Sequence, residues 1–209
     1  MKIQLALDRL SEEACFGILE ETHEYIDWIE VGTGVIKEYG MEIVRKIKHQ
    51  YPHKTIVADM KTCDAGKHEA KQAFAAGADI ITVMAFSHDN TIKETLEVAR
   101  QHHKKIMVDL LGVQQQNRVR ELNELGVDLV CLHVGKDMQE EGTLASPSLM
   151  QLVEGTEALH VAMAGGISEK TIGELKNSIV DIAIVGSAIT SADSPKSASA
   201  KLKELISEF

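Results

Sequence analysis

Eight short apolar runs, each separated from the next by a stretch with helical spacing, leave this chain very few ways to fold. The runs are residues 3–8 (IQLALD), 27–31 (DWIEV), 55–60 (TIVADM), 79–84 (DIITVM), 105–110 (KIMVDL), 128–133 (DLVCLH), 159–164 (LHVAMA) and 181–186 (DIAIVG). They are nearly continuous in apolar residues, as strands must be when helices cover one side and packed side chains fill the other. Between them the spacing turns helical. Ile92, Leu96, Val98 and Ala99 form one stripe, with Asn90 placed to cap its N-terminus. Leu202, Leu205, Ile206 and Phe209 form another. At Gly77-Ala78-Asp79 and Gly126-Val127-Asp128 a glycine closes a helix just before a strand. Strict βα alternation repeated eight times predicts a closed (β/α)8 TIM barrel, class α/β, with a doubly wound open sheet as the competing arrangement. A length of 209 residues with no Pro/Ser-rich linker fits a single domain over 1–209.

Polar residues then fall in a pattern that the fold alone does not require. Side chains at i, i+2 and i+4 share one face of a strand. This phase turns Gln4, Ala6 and Asp8 inward, and likewise Val57, Asp59 and Lys61, then Met107 and Asp109, then Leu129, Cys131 and His133. Glu30 closes the second strand, whereas the fourth ends in Met84-Ala85 and carries no signal. A lone aspartate at a strand end is usually a turn or cap residue, and a lone inward histidine is usually a satisfied core residue. Five strands ending in Asp, Glu, Lys or His on the inward face call for a ligand, a metal or mutual pairing, because unpaired buried charge costs several kcal/mol. The C-terminal ends of the strands are where barrel active sites are built. Asp59-x-Lys61-x-x-Asp64 is the densest piece, with a structural ion pair as the plainer explanation.

The last two strands end differently, in Ala164-Gly165-Gly166-Ile167 and Val185-Gly186-Ser187-Ala188. Glycines there let backbone N–H groups approach a ligand, and the loops after strands seven and eight are the usual phosphate site of a barrel. The net charge of −10 makes that placement matter. An acidic surface repels nucleic acid and must hold a phosphate locally, through backbone amides. No apolar run is long enough to span a membrane, and the N-terminal MKIQLALDRL lacks the apolar stretch of a secretion signal. Cys15, Cys63 and Cys131 are odd in number and lack CxxC spacing, so they read as reduced thiols of a cytoplasmic protein. Cys63 reads as a small loop residue, and His68, His88, His102 and His103 as surface histidines.

These segments carry a resemblance. LALD (5–8), IEVGT (29–33), ADMKTCDAG (58–66), VDLLG (108–112), HVGKD (133–137), MAGGI (163–167) and IVGSAI (184–189) span nearly the whole chain. They resemble the orotidine-5′-phosphate decarboxylase superfamily, in its branch of 3-hexulose-6-phosphate synthases and 3-keto-L-gulonate-6-phosphate decarboxylases. The resemblance implies Mg²⁺-assisted enediolate chemistry on a small sugar phosphate. Glu30 and Asp59 would anchor Mg²⁺, Lys61 would neutralise the enediolate, and Asp8 would contact substrate hydroxyls. Asp64 would enter the neighbouring subunit's site, making a homodimer. His133 would transfer protons with Asp109 beside it, and Gly165, Gly166, Gly186 and Ser187 would bind the phosphate. Within the branch, decarboxylation is expected to go with a glutamate at position 109, a threonine at 164 and arginines at 136 and 187. Asp109, Ala164 and Ser187 point instead to condensation of formaldehyde with D-ribulose 5-phosphate, while Lys136 departs from that pattern. The alternatives are the decarboxylase and a non-catalytic sugar-phosphate sensor.

Overall fold

A computed structural model describes residues 1–140, 147–156 and 159–207 of the chain, so the expected stripe position Phe209 lies outside the described residues. Eight parallel strands close into a barrel in sequence order: β1 (Lys2–Leu7), β2 (Trp28–Val31), β3 (Thr55–Thr62), β4 (Ile80–Met84), β5 (Lys105–Asp109), β6 (Leu129–His133), β7 (His160–Ala164) and β8 (Ile182–Val185). Each matches an expected run to within one or two residues. β1 pairs with β8 through Gln4↔Ile184, which closes the ring and excludes the open sheet. The helices are α1 (Glu12–Thr22), α2 (Thr33–Tyr39), α3 (Met41–Gln50), α4 (Gly66–Ala75), α5 (Asp89–Gln101), α6 (Gln116–Glu124), α7 (Lys136–Glu140), α8 (Pro147–Met150), α9 (Ser187–Thr190) and α10 (Pro195–Ser207). After β7 the outer layer is a short 3₁₀ turn, Ile172–Leu175.

The core divides as the period-two phase requires. Ile3, Leu5, Ile56, Ala58, Val108, Val130 and Leu132 pack outward against helices, within one large cluster. Ala6, Val57, Ile80, Met107, Leu129, Cys131, Ala162, Ile182 and Ile184 form a second cluster inside the barrel. That inner plug fills the lower barrel and leaves only the upper ends of the strands open, so the fold decides where a site can exist. Ile92, Leu96, Val98 and Ala99 of α5 are all buried, as their spacing predicts. The cap is corrected: His88, not Asn90, is the N-cap, and its Nδ1 accepts the Asn90 backbone N–H at 3.1 Å. Asp89 opens the helix instead, its carboxylate held by Arg118 at 2.8 Å. Gly77 and Gly126 both have positive φ, 98° and 92°, as helix-closing glycines do.

Aspartates at the lower rim are consumed by the fold. Asp27, Asp79 and Asp181 each precede a strand and accept a backbone N–H from the strand beside them, from Ile3, Ile56 and Val161 respectively. Asp79 also pairs with Lys48 at 2.8 Å and Lys104 at 2.5 Å. Those carboxylates are capping groups, whereas the ones at the upper rim face a cavity.

Candidate active site

The upper ends of the strands enclose a cavity of about 680 Å³ lined by Asp8, Glu30, Asp59, Lys61, Asp109 and His133 on one side. Gly165, Gly166, Gly186 and Ser187 line it as well, along with Lys136. The structure therefore brings together every expected site residue except Asp64, which is exposed in the loop after β3 and outside the cavity wall.

At the centre runs a chain of charges. Lys61 Nζ sits 3.0 Å from Asp59 Oδ2 and 3.0 Å from Asp109 Oδ2. Asp109 continues the chain to His133 Nδ1, with its oxygens at 2.8 and 3.0 Å, and accepts the Leu111 backbone N–H at 2.8 Å. Burial works against the charge on Lys61, but Asp59 and Asp109 outweigh it and raise its pKa above the usual lysine value. Burial would also push the Asp109 carboxyl up, yet His133, Lys61 and the Leu111 amide hold it below the usual range. A carboxylate beside Nδ1 favours the tautomer with the proton on that nitrogen, which leaves the Nε2 lone pair to take up a proton.

Glu30 is the opposite case. It is 7% exposed, and burial first, then the Asp59 charge, lift its carboxyl well above the ordinary range. Its Oε2 accepts a hydrogen bond from Gln4 Nε2 at 2.6 Å, a neutral donor that cancels no charge. Gln4 is fully buried, and its Oε1 has no partner among the described residues. Asp8, just past the end of β1, stands open to the cavity, but the surrounding walls and the Asp59 charge raise its carboxyl too. Gly32 makes room for it: a Cβ there would stand 2.0 Å from Asp8 Oδ1. Gly165 is equally constrained, with φ of 118° and space that a Cβ would contest with the Val134 carbonyl at 2.7 Å.

Four carboxylates thus share one central lysine, with exposed Arg9 and Lys136 further out along the wall. Among the described residues no three His, Cys, Asp or Glu side chains form a ready-made metal cage. Hard oxygens in surplus over cations nevertheless suit Mg²⁺, which normally takes one or two carboxylates and keeps water and ligand positions. Glu30 is the best-placed donor. Asp59 already accepts bonds on both oxygens, from Thr33 and Thr82 at 2.7 Å each and from Lys61, so a cation there would take over the Lys61 contact.

Two of these partners were not legible beforehand. Thr82 corrects the reading of the fourth strand as silent; its place two residues after inward-facing Ile80 was the available signal. Thr33 opens α2 and had no comparable signal. Asp59 and Lys61 both face the cavity and Met60 packs outward, as the alternation in β3 predicts, although the pairing register shifts between Ala58 and Thr62 and Lys61 has a φ of 46°. Cys63 is exposed and unpaired, as a loop residue would be, and Cys15 and Cys131 are free and buried. His68, His88, His102 and His103 are exposed. Among the described residues no helix is long and apolar enough to cross a membrane.

A closed barrel with four carboxyl groups, a lysine and a histidine gathered at its C-terminal mouth is an enzyme architecture. The family model for the orotidine 5′-phosphate decarboxylase / HUMPS family matches residues 1–202, and the chain belongs to that family. It is 39% identical over 207 residues to a 3-hexulose-6-phosphate synthase of Bacillus subtilis, covering 99% of both chains. The crystal structure of 3-hexulose-6-phosphate synthase from Salmonella typhimurium superposes with a TM-score of 0.97 at 34% identity, over 100% of this chain and 99% of that one. A 3-keto-L-gulonate-6-phosphate decarboxylase from Vibrio cholerae superposes at 0.88 with 29% identity, over 100% and 98%.

Proposed function

We propose that this protein is a cytoplasmic enzyme that condenses formaldehyde with D-ribulose 5-phosphate to give D-arabino-hex-3-ulose 6-phosphate. The observation that carries the proposal is the Lys61–Asp109–His133 chain, which joins a fixed cation to a proton acceptor facing one cavity. The higher identity to synthases than to the decarboxylase supports the choice of reaction.

In this reading the amides around Gly165, Gly166, Gly186 and Ser187 hold the phosphate, and Asp8 orients the sugar hydroxyls. Glu30 and Asp59 would hold Mg²⁺, which when bound would supply positive charge where oxygen charge develops. His133 Nε2 takes the C1 proton of the ketose, and Asp109 steadies the imidazolium that results. Lys61 stands against the enediolate charge at a fixed position, so no reorganisation is needed as the charge forms. C1 then attacks the formaldehyde carbon, and the new alkoxide collects the proton. A sensor that only binds would gain nothing from a lysine held between two buried carboxylates.

Purified protein assayed with ribulose 5-phosphate plus formaldehyde, and separately with 3-keto-L-gulonate 6-phosphate, tests the reading. Condensation should exceed decarboxylation in kcat/KM by at least about tenfold, or about 1.4 kcal/mol. A reversed preference overturns the assignment. Lys136 lines the cavity and keeps the decarboxylase as the second reading, since a cation there could help protonate an enediolate. Lys136→Val should leave condensation largely intact and lower any residual decarboxylation.

Asp64, exposed and outside its own cavity wall, is in this reading assigned to the partner subunit's site in a homodimer. Mixing inactive Asp64→Asn and Lys61→Ala subunits should restore activity, because one hybrid site then holds both native residues. No recovery after verified subunit exchange would place any role of Asp64 within its own chain.

A further inference from the structure

β3 presents three residues, Asp59, Met60 and Lys61, where β4 presents only Thr82. The ladder runs through Ala58↔Ile81 and resumes at Thr62↔Val83. A bulge of this kind leaves its extra backbone groups without ladder partners, and it re-aims the side chains it carries. Here both Asp59 and Lys61 reach the same cavity, with Lys61 in the left-handed region at φ 46°. Something must hold so irregular a segment in one arrangement.

Thr82 occupies that position. Its Oγ1 accepts the Lys61 backbone N–H at 2.9 Å and donates its hydrogen to Asp59 Oδ1 at 2.7 Å. A hydroxyl has one hydrogen, so both bonds together fix its orientation. The residue is 3% exposed, and water does not readily substitute for either bond. Thr33 Oγ1 holds the other carboxylate oxygen of Asp59 at 2.7 Å, so Asp59 is pinned from the first residue of α2 and from β4 while Lys61 is pinned through its own backbone.

We propose that Thr82 is a positioning residue for the reaction: its single hydroxyl closes the β3 bulge and sets Lys61 against Asp59. Without it the Lys61 N–H loses its acceptor and Asp59 loses a donor in the same stroke. The bulge is then free to shift, and in a strand even a small slip turns a side chain away from its face. A displacement of about 1 Å in a reacting group can cost about 10²-fold in rate.

The kinetic part rests on the proposed enediolate chemistry; the structural part does not. Thr82→Val keeps the shape and removes the hydroxyl, whereas Thr82→Ser keeps the hydroxyl. Thr82→Val should lower kcat for condensation by about 10²-fold, with KM for ribulose 5-phosphate within about threefold because the phosphate is held elsewhere. Deuterium exchange in peptides spanning residues 59–64 should quicken, and Thr82→Ser should restore both the rate and the protection. Thr82→Ala, run in parallel, carries the same expectation, so a valine protein that fails to fold leaves the test intact. Overturning results are a kcat within about threefold of wild type in the folded valine or alanine protein, or a serine protein as impaired as the valine one. If wild type itself shows no condensation, the functional reading fails, and the exchange data alone decide: unchanged protection without the hydroxyl overturns the role of Thr82.

Discussion

Glu30→Gln is expected to lower turnover by about 10²-fold or more while making the metal-free protein more heat-stable at neutral pH. The two effects share one cause. Burial and the Asp59 charge raise the Glu30 carboxyl well above its unfolded value of 4.5. As the pH rises past that value, the unfolded chain releases the Glu30 proton before the folded chain does, so stability falls with pH. Glutamine has no proton to lose, and it can still face the Gln4 amide. A bound divalent cation would reverse the burden in the wild type by favouring the ionised form. Wild type should therefore gain melting temperature with Mg²⁺ at neutral pH, and Glu30→Gln should not. Exhaustive chelation should abolish wild-type activity, and added Mg²⁺ should restore it. Full turnover after chelation would remove the metal from the mechanism.

Lys61→Met should be more damaging still, with kcat reduced by about 10³-fold or more, because a fixed charge at a developing oxyanion is worth roughly 10²–10³ by itself. Among the described residues Lys61 is also the only cation bonded to both Asp59 and Asp109. Its loss leaves those carboxylates facing one cavity with no shared counter-charge. Their repulsion would displace them and disturb the His133 contact. A pH signature should accompany the rate loss. In wild type Asp109 is held below its unfolded value of 3.8, so its stabilising contribution is complete above that value and disappears as the pH falls through the folded one. Removing Lys61 moves the folded value upward, and acid unfolding should begin at a higher pH. Paired kcat measurements and acid-denaturation curves check both halves. A methionine variant within about tenfold of wild-type kcat would show that Lys61 does not meet the transition-state charge.

Much of this protein could be read from one dimension because much of it is periodic. Period two placed Asp59, Asp109 and His133 on the inward face, and the cavity holds all three. The helical period identified the buried stripe of α5. Even the distinction between upper and lower aspartates follows from position, since a residue that opens a strand and one that closes it lie at opposite ends of the barrel. Asp79 and Asp109 illustrate it: one is bound by Lys48, Lys104 and a backbone amide, the other joins Lys61 to His133.

What periodicity could not convey is which atoms meet across strands. Thr82 and Asp59 are 23 residues apart and touch because β3 and β4 lie side by side, and the Lys61 backbone N–H reaches the same hydroxyl because the register slips between Ala58 and Thr62. Gln4 and Glu30 meet because β1 and β2 lie side by side, while Asp109 gains His133 from β6. By itself the sequence determined the barrel, the end at which its chemistry gathers and most of the residue types there, because strand phase and helix phase are local properties of the chain. Only the tertiary structure decided that Asp59 is already saturated with donors, that Glu30 is the buried cavity acid without an ion pair among the described residues, and that a threonine closes the bulge. Those facts depend on register and distance between strands, and a register slip leaves every strand's own pattern of apolar residues unchanged.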